Sequence, residues 1–432
     1  MKYRLFLVIL LSLPGTLFAR QTHFLSLEEL FRLGRENSLR LHASRIEESI
    51  AGEKVKDLLT GRLPDIQLGA TAGYLGQPVV FSRGLTGPVH PGSPDWKQNY
   101  NLNIFQPIYQ GGKIRYTIER ASLEKQLALL STADNEAEIK ITLLRQYLNL
   151  FSLHKQQELF ARNIAESERR LEDIKRMKKE GIVTLNDEIR SELELTNYRL
   201  AYREAGDNIA IVSQQLDILL GLDESLLLQP DTALLNTVHS LGSYDTCLEE
   251  AYANYPGLNI ARQNTVLAKN NIRLAKAAYL PSLSVQGSNT LARPLSTTME
   301  DLFSNNWNIV LSLSFNLSSL YQNRHKVEQA RQNVRLEENR EQQILQDLRI
   351  QVRSAYIRHQ EASDRTGSLM LAVRQADENY RIVRNRYMNQ LSILTDLLDA
   401  ENIRLQAELQ LTTARAEMIY TYYELLRACG NL

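Results

Sequence analysis

The residue types that most often perform chemistry are few in this chain and form no recognisable catalytic pattern. The sequence contains no H-E-x-x-H and no G-x-S-x-G motif, the signatures of zinc peptidases and of many serine hydrolases. Gly111, Gly112 and Lys113 superficially resemble a phosphate-binding loop, but Ile114 stands where that motif needs Ser or Thr. We therefore expect no enzymatic activity, no cofactor and no resident metal. The histidines are scattered without ligand spacing, at His23, His42, His90, His154, His239, His325 and His359.

One pair of carboxylates is spaced for joint action. Asp396 and Asp399 lie three residues apart in a stretch without Gly or Pro, so they share one face of a predicted helix. Such a pair usually belongs to a solvated acidic face. Carboxylates gathered around a narrow opening would instead favour cations and could bind a divalent or trivalent ion. The residues alone leave both interpretations open.

The composition excludes several classes of protein. The 50 basic and 50 acidic side chains balance, which excludes a nucleic-acid-binding protein that relies on bulk positive charge. Two cysteines are too few for a disulfide scaffold or a Cys-rich zinc module. Cys247 and Cys429 could pair in an oxidising compartment, but the sequence does not establish such a bond.

The N-terminus has the features of an export signal. Lys2 and Arg4 precede an apolar segment over residues 5–13, and the small residue Ala19 follows a Pro-Gly break. This arrangement predicts a secretory signal peptide over residues 1–19. An uncleaved membrane anchor fits less well because the apolar segment is too short to span a bilayer.

Two segments lack helix breakers over unusual lengths. Sixty-eight residues lie between Gly112 and Gly181 without Gly or Pro, and residues 323–389 contain one Gly and no Pro. At about 1.5 Å per residue, each predicted helix would reach about 100 Å. Pairs of shorter helices could stack end to end beside each long one, and they are expected at residues 35–60, 182–220, 258–280 and 391–429.

Four segments alternate between apolar and small polar residues. In the clearest, Trp307, Ile309 and Leu311 point to one side while Asn308 and Ser312 point to the other. Strands of about 10 residues with one apolar and one polar face suit the wall of a membrane channel. Four strands are too few to close a barrel, so we expect subunits to share one. The other three segments are residues 66–74, 100–104 and 283–285, and turn-rich segments 76–98 and 292–305 connect the pairs.

The whole pattern occurs twice. Leu63 and Pro64 return 217 residues later as another Leu-Pro pair, and between residues 181 and 221 the second copy matches at a constant offset of 209. A helix–strand–strand–helix–helix unit has thus been duplicated. The predicted organisation is a signal peptide over 1–19, a first repeat over 20–221, a linker over 222–242 and a second repeat over 243–432.

These features together resemble the TolC family of outer-membrane efflux proteins over nearly all of the mature chain. The resemblance rests on the duplicated strand pairs, the strand-to-helix junction at 106–113 and two hairpin tips at 181–187 and 387–399. It implies a mainly α-helical channel-tunnel protomer with a small β part, whose four antiparallel strands contribute to a 12-stranded barrel shared by a homotrimer. It also implies an iris-like periplasmic gate in a tripartite efflux or type I secretion system. The implied partners are a periplasmic adaptor, an inner-membrane transporter and outer-membrane lipid, without nucleic acid.

The resemblance further assigns a gate to the second hairpin tip. Asp396 and Asp399 fall at the family's aspartate constriction, and Tyr387 falls where the family has a tyrosine that locks neighbouring protomers in the closed state. The arginine of that lock is replaced by Ser392. The glycine of the family's tip is also replaced, by Gln390.

Two further predictions concern the same tips. Arg384 and Arg386 lie within one turn of Tyr387 and are hypothetical substitutes for the missing arginine. Apolar residues at an exposed tip favour contact with an adaptor, although they could also pack on the neighbouring hairpin. The predicted adaptor-docking residues are Gly181, Ile182, Val183, Leu185, Asp187, Gln390 and Leu391.

The alternative is a periplasmic coiled-coil adaptor or a structural rod. Such a protein shares the long helical hairpins, but it has no need of four strands with a lipid-compatible face. An enzyme with a helical domain fits the sequence least well.

Overall fold

A computed structural model describes residues 22–92, 94–231, 242–294 and 301–432. The predicted signal peptide, residues 1–19, lies outside the described residues, and so do residues 232–241 of the predicted linker.

The order of elements repeats along the chain. Helices make up most of the described residues, which confirms the expected mainly helical fold with a small antiparallel β part. The first half contains β1 (Thr22–Leu25), α1 (Leu27–Asn37), α2 (Leu39–Thr60), β2 (Asp65–Tyr74), β3 (Val80–Arg83), β4 (Thr86–Val89), β5 (Trp96–Gln110), α3 (Lys113–Lys179) and α4 (Leu185–Leu220). The second half contains β6 (Leu227–Pro230), α5 (Tyr244–Asn254), α6 (Pro256–Lys276), a 3₁₀ turn (Ala277–Tyr279), β7 (Ser282–Arg293), β8 (Ser304–Ser314), α7 (Ser319–Met388) and α8 (Leu394–Ala428).

Several boundaries differ from the sequence prediction. The loop expected at 76–98 contains the β3–β4 hairpin, and β5 and β7 are longer than the alternation indicated. The alternating pattern continues to Leu317, but β8 ends at Ser314 because the chain turns there, with the Ser319 amide donating to the Asn316 carbonyl at 3.1 Å. Among the described helices, none is both long and apolar enough to cross a membrane.

The four long strands form one antiparallel sheet in the order β2-β5-β7-β8. Its register brings polar residues of neighbouring strands into rows, because side chains of paired positions share a face. One such row is Gln67, Asn103, Ser288 and Asn308, in which the Ser288 hydroxyl lies 2.9 Å from the Asn308 amide oxygen. The outer strands β2 and β8 have no strand partner on their open sides among the described residues.

The chain divides into two compact units, and both repeats contribute to each of them. One unit comprises residues 43–134 and 256–347 and contains the four-stranded sheet. In this unit, side-chain hydrogen bonds join the starts of α3 and α7 to α6. The Asn270 side-chain amide donates to the Tyr116 carbonyl at 2.8 Å, and the Asn323 side-chain amide donates to the Ala275 carbonyl at 2.6 Å.

The other unit comprises residues 22–42, 135–231, 242–255 and 348–432 among those described. In this unit β1 pairs in parallel with β6. The Tyr147 hydroxyl donates to the Leu25 carbonyl at 3.0 Å and accepts the Asp231 amide at 2.9 Å, which joins α3 to both short strands. A continuous apolar core surrounds this contact and includes Leu25, Leu30, Leu144, Leu216, Leu220 and Leu228. This unit also carries both helical hairpin tips.

Candidate gate and docking site at the helical hairpin tips

The first tip joins α3 to α4 through a glycine. Gly181 has φ of 74°, a left-handed conformation that glycine adopts without steric cost. Its amide donates to the Lys178 carbonyl at 3.0 Å, and the Ile182 amide donates to the Met177 carbonyl at 2.9 Å. These two bonds satisfy carbonyl groups that the helix end would otherwise leave unpaired.

The start of α4 is capped from both sides. The Thr184 hydroxyl accepts the Asp187 amide at 3.3 Å, and the Asp187 carboxylate accepts the Thr184 amide at 2.9 Å. This reciprocal arrangement satisfies two amide donors of the first helical turn. Asp187, predicted as a docking residue, thus also holds the tip together.

The second tip repeats this geometry with different residues. Gln390 has φ of 60° at the position of the first tip's glycine. Its amide donates to the Tyr387 carbonyl at 2.9 Å, and the Leu391 amide donates to the Arg386 carbonyl at 2.8 Å. The backbone therefore reverses in the same way, but a side-chain-bearing residue adopts the left-handed conformation.

The two aspartates predicted for the gate have different local roles. The Asp396 carboxylate accepts the Ser392 hydroxyl at 2.8 Å and the Ile393 amide at 3.4 Å, so it caps its own helix. Asp399 lies in the next turn and is exposed, and it forms no hydrogen bond or ion pair within the described part of the chain. Asp399 is therefore the carboxylate that remains available to an ion or to another subunit.

Tyr387 lies in the core of the hairpins. Only 6% of its surface is exposed, and its side chain packs with Ile174, Leu394 and Leu397. Its hydroxyl is buried without a hydrogen-bond partner among the described residues. Burial raises the pKa of this phenol, and the charge of Asp187 raises it further. Tyr387 is thus a neutral donor at the working pH.

The two arginines proposed as substitutes are both exposed. The Arg386 guanidinium donates to the Leu391 carbonyl at 3.3 Å, across its own turn. Arg384 has no ion pair or side-chain hydrogen bond among the residues that the structure describes. Their role in the gate stays a prediction.

The apolar residues of the tips divide into exposed and packed ones. Leu185 is 57% exposed, Leu391 67% and Ile393 66%, whereas Val183 packs against the Tyr387 cluster. A groove of ≈ 220 Å³ lies between the two tips. Its walls come from both hairpins and include Met177, Ile182, Val183, Asp187, Tyr387, Gln390, Ser392 and Ile393.

A buried charge network above the tips was not anticipated from the sequence. Arg170 of α3 pairs with Glu401 of α8 at 2.5 Å, and Arg404 of α8 pairs with Glu166 of α3 at 2.5 Å. The Arg404 guanidinium also lies over the Tyr380 ring, 3.9 Å from its centre. Each of the two helices therefore contributes one arginine and one glutamate to these ion pairs.

Burial makes this network costly to disrupt. Glu401 is completely buried, and desolvation raises the pKa of its carboxyl although Arg170 opposes the shift. Breaking such a pair leaves an uncompensated charge in the interior. The i,i+3 and i,i+4 spacings of these residues are also typical of solvated ion pairs, so the sequence carried no signal that they would be buried.

No group of three or more His, Cys, Asp or Glu side chains that could hold a metal ion occurs within the described residues. Within one protomer, the tips therefore offer charge, apolar surface and a hinge-like backbone reversal. They show no catalytic arrangement.

Comparisons with known proteins agree with this fold. Residues 247–431 match the family model described as outer membrane efflux protein. A search of curated proteins found no match.

Solved structures of channels superimpose on nearly the whole chain. The outer membrane protein VceC of Vibrio cholerae has a TM-score of 0.77 and 17% identity, with 94% of this chain and 96% of that chain covered. CusC has a TM-score of 0.79 and 15% identity, with 95% and 93% covered. The open-state MtrE outer membrane channel of Neisseria gonorrhoeae has a TM-score of 0.74 and 17% identity, with 94% and 88% covered.

These findings confirm the resemblance noted from the sequence and the expected location, the outer membrane with an extension into the periplasm. The family comprises channels and not enzymes. By the family match of residues 247–431 and the fold of nearly its whole length, the chain is similar to outer-membrane efflux channels.

Proposed function

We propose that three copies of the chain form one channel-tunnel that conducts substrates across the outer membrane for a tripartite efflux or type I secretion system. In this proposal a periplasmic adaptor and an inner-membrane transporter load the channel, and the hairpin tips close its periplasmic end. The chain itself performs no chemistry and conducts what its partners deliver.

The observation that carries the proposal is the open four-stranded sheet. Its edge strands expose apolar residues, with Leu68 of β2 84% exposed and Leu313 of β8 72% exposed. In a lipid bilayer, unpaired backbone groups at a sheet edge cost several kcal/mol each, so an open sheet does not persist there. Pairing β8 of one copy with β2 of the next would remove both edges, and three copies would supply twelve strands.

The hairpin tips support the proposed periplasmic gate. Three copies would bring six carboxylates from Asp396 and Asp399 to one opening, which would favour cations. The exposed Leu185, Leu391 and Ile393 provide apolar surface suited to an adaptor. A left-handed turn at each tip lets the helices reverse sharply, so each hairpin could tilt as a unit in an iris-like opening. The MtrE structure is described as an open state, so a channel of this fold can open.

The alternative of a soluble periplasmic rod makes different demands on the strands. A rod would need a protein partner over the exposed apolar face of the sheet, whereas a channel would place that face in lipid. The two can therefore be separated by where the mature protein resides and how it assembles.

The test is the mass and location of the native assembly. Outer membranes are extracted in mild detergent, and the protein mass is determined with the detergent contribution subtracted. We expect an assembly of about three times the mature chain mass, found only with the outer membrane. A soluble periplasmic monomer or dimer would refute the shared channel and favour the rod.

A further inference from the structure

The chain contains two cysteines, and their side chains form a hydrogen-bonded pair in the structure. Cys247 lies in the first turn of α5, and Cys429 caps the end of α8, 182 residues later. Both thiols are free, and both side chains are buried, with exposures of 8% and 2%. Nothing in the proposed channel function uses either of them.

The surrounding contacts show that the two helices are firmly joined at this point. The side-chain amide of Asn431 donates to the Glu250 carboxylate at 2.8 Å, and the side-chain amide of Asn254 donates to the side-chain oxygen of Asn431 at 3.2 Å. Between them, Gly430 lies so close to α5 that an added Cβ would come within 2.6 Å of the Asn254 backbone carbon. The approach of the cysteines is therefore part of a tight interface within one compact unit.

The two thiols interact directly in this interface. Burial raises the pKa of the Cys429 thiol to about 12, and the neighbouring Cys247 thiol contributes to the shift. In the folded protein the Cys429 thiol is thus neutral, and the burial of both side chains makes the two sulfurs slow to react with reagents from solvent.

We propose that Cys247 and Cys429 are joined by an intramolecular disulfide in the exported protein. An outer-membrane protein passes through the periplasm, where disulfides form and persist. Two adjacent cysteines in a chain with no others have no competing partner within the same protomer. The bond would close a loop that contains β7, β8 and the complete α7–α8 hairpin.

The oxidation requires an external disulfide as the electron acceptor. The thiolate of one cysteine attacks a sulfur of an oxidised thiol–disulfide exchange protein and gives a mixed disulfide. The second thiolate then attacks the chain's sulfur in that mixed disulfide, which forms the new bond and releases the reduced partner. Two electrons pass to the partner, and the two thiol protons appear on its reduced thiols. Because the folded thiols are shielded, this exchange takes place before α5 packs on α8.

The test uses the wild-type protein and counts its free thiols. Cells are quenched with acid, and the protein is denatured in N-ethylmaleimide without reductant before its intact mass is measured. We expect no added label before reduction and two labels after it. Two labels before reduction would overturn the proposal, and so would a disulfide-linked dimer or trimer on a non-reducing gel.

Two matched measurements complete the experiment. The Cys247→Ser variant should take one label with or without reductant, which calibrates the count. Wild-type protein from cells that lack the periplasmic thiol oxidase should take two labels and unfold about 5 °C lower than the oxidised protein in the same detergent. Equal unfolding temperatures of the two forms would show that the bond does not stabilise the folded state.

The outcome is independent of the channel proposal. A trimer with two free thiols would retain the proposed function and refute the disulfide. An oxidised protein that is a soluble monomer would retain the disulfide and refute the channel.

Discussion

The two hairpin tips occupy equivalent places in the duplicated chain, yet different residues build them. The first uses Gly181 in the left-handed position and a two-way cap formed by Thr184 and Asp187. The second uses Gln390 in that position, and Ile393 offers no side-chain oxygen to its helix, so Asp396 caps from one side only. The second tip therefore lacks a helix-capping hydrogen bond that the first tip has.

The ion pairs of the helices next to the tips show the reverse difference, because the buried pair belongs to the second hairpin and the solvated pair to the first. Glu401 of α8 and Glu192 of α4 are equivalent at the offset of 209 residues. Glu192 pairs with Lys175 at 2.9 Å, and both side chains are about half exposed. Glu401 pairs with Arg170 in the interior. The comparison suggests that the second hairpin combines a pliant tip with a rigid attachment above it, which suits a moving gate.

The largest expected effect comes from breaking the buried attachment. Glu401→Gln would leave Arg170 charged and uncompensated, and we expect a loss of about 3–5 kcal/mol in stability. Glu192→Gln, the matched control, would lose less than about 1 kcal/mol because its pair is solvated. Thermal unfolding of both variants in detergent measures the difference. Equal losses would show that the two hairpins are anchored alike.

A double variant distinguishes lost charge balance from lost packing. Replacing Arg170 and Glu401 together by Met removes both charges and keeps apolar volume, so much of the stability should return. A double variant as unstable as Glu401→Gln would mean that the pair acts through its hydrogen-bonding geometry, not through charge compensation.

The next effect concerns the ends of α4 and α8 and depends on pH. Asp217 near the end of α4 is equivalent to Leu426 of α8, and it is completely buried with no hydrogen bond to its carboxylate among the described residues. Burial raises its pKa from 3.8 to about 6; nearby His23 opposes the shift, while Asp223 and Glu224 add to it. A raised carboxyl pKa stabilises the fold below pH 3.8, and that contribution is lost as the pH rises through 6.

Asp217→Asn should therefore stabilise the protein at high pH. We expect a gain of about 1–2 kcal/mol at pH 8 and little change at pH 4, since the wild-type carboxyl is then protonated. Unfolding temperatures across this range measure the gap between variant and wild type. A gap that does not widen with pH would exclude titration of Asp217.

Exchanging the turn residues tests the pliant tip directly. Gly181→Gln has space for its side chain, with nothing within 4 Å of the added Cβ, so it should lose about 1 kcal/mol from backbone strain alone. Gln390→Gly should gain about 0.5 kcal/mol in stability. This gain is smaller than the loss in Gly181→Gln because glycine also increases the conformational entropy of the unfolded chain. Hydrogen exchange of the flanking amides reports both changes locally. Similar protection at the two wild-type tips would contradict the difference inferred from their caps.

Much of the fold was predictable because its signals are local. Gly112 and Gly181 bound α3 on both sides, and alternation located all four long strands. The short β1–β6 pair was missed because its four-residue strands lie about 200 positions apart, without a turn or a repeat to connect them. The unit boundaries cut across both repeats, and no property of the sequence marks them.

The site was predictable only in part, for the same physical reason. The offset of 209 residues located both tips, but it made Glu192 and Glu401 appear equivalent. Burial depends on which helix packs on which, and this follows from tertiary contacts that residue types do not encode. Likewise, Asp396 and Asp399 look like a matched pair in sequence, and only the turn geometry separates the capping carboxylate from the free one.

The smallest effect that we predict is on ion selectivity. Asp399→Asn should lower the preference for cations about twofold to threefold in planar bilayers, since an unpaired carboxylate at a narrow opening attracts them. Asp187→Asn loosens the equivalent turn of the first hairpin without this change, so it controls for tip mobility. Asp396→Asn combines both losses and should alter gating as well as selectivity. Unchanged selectivity in both second-tip variants would remove the two aspartates from the gate, and the difference between the tips would then be one of stability alone.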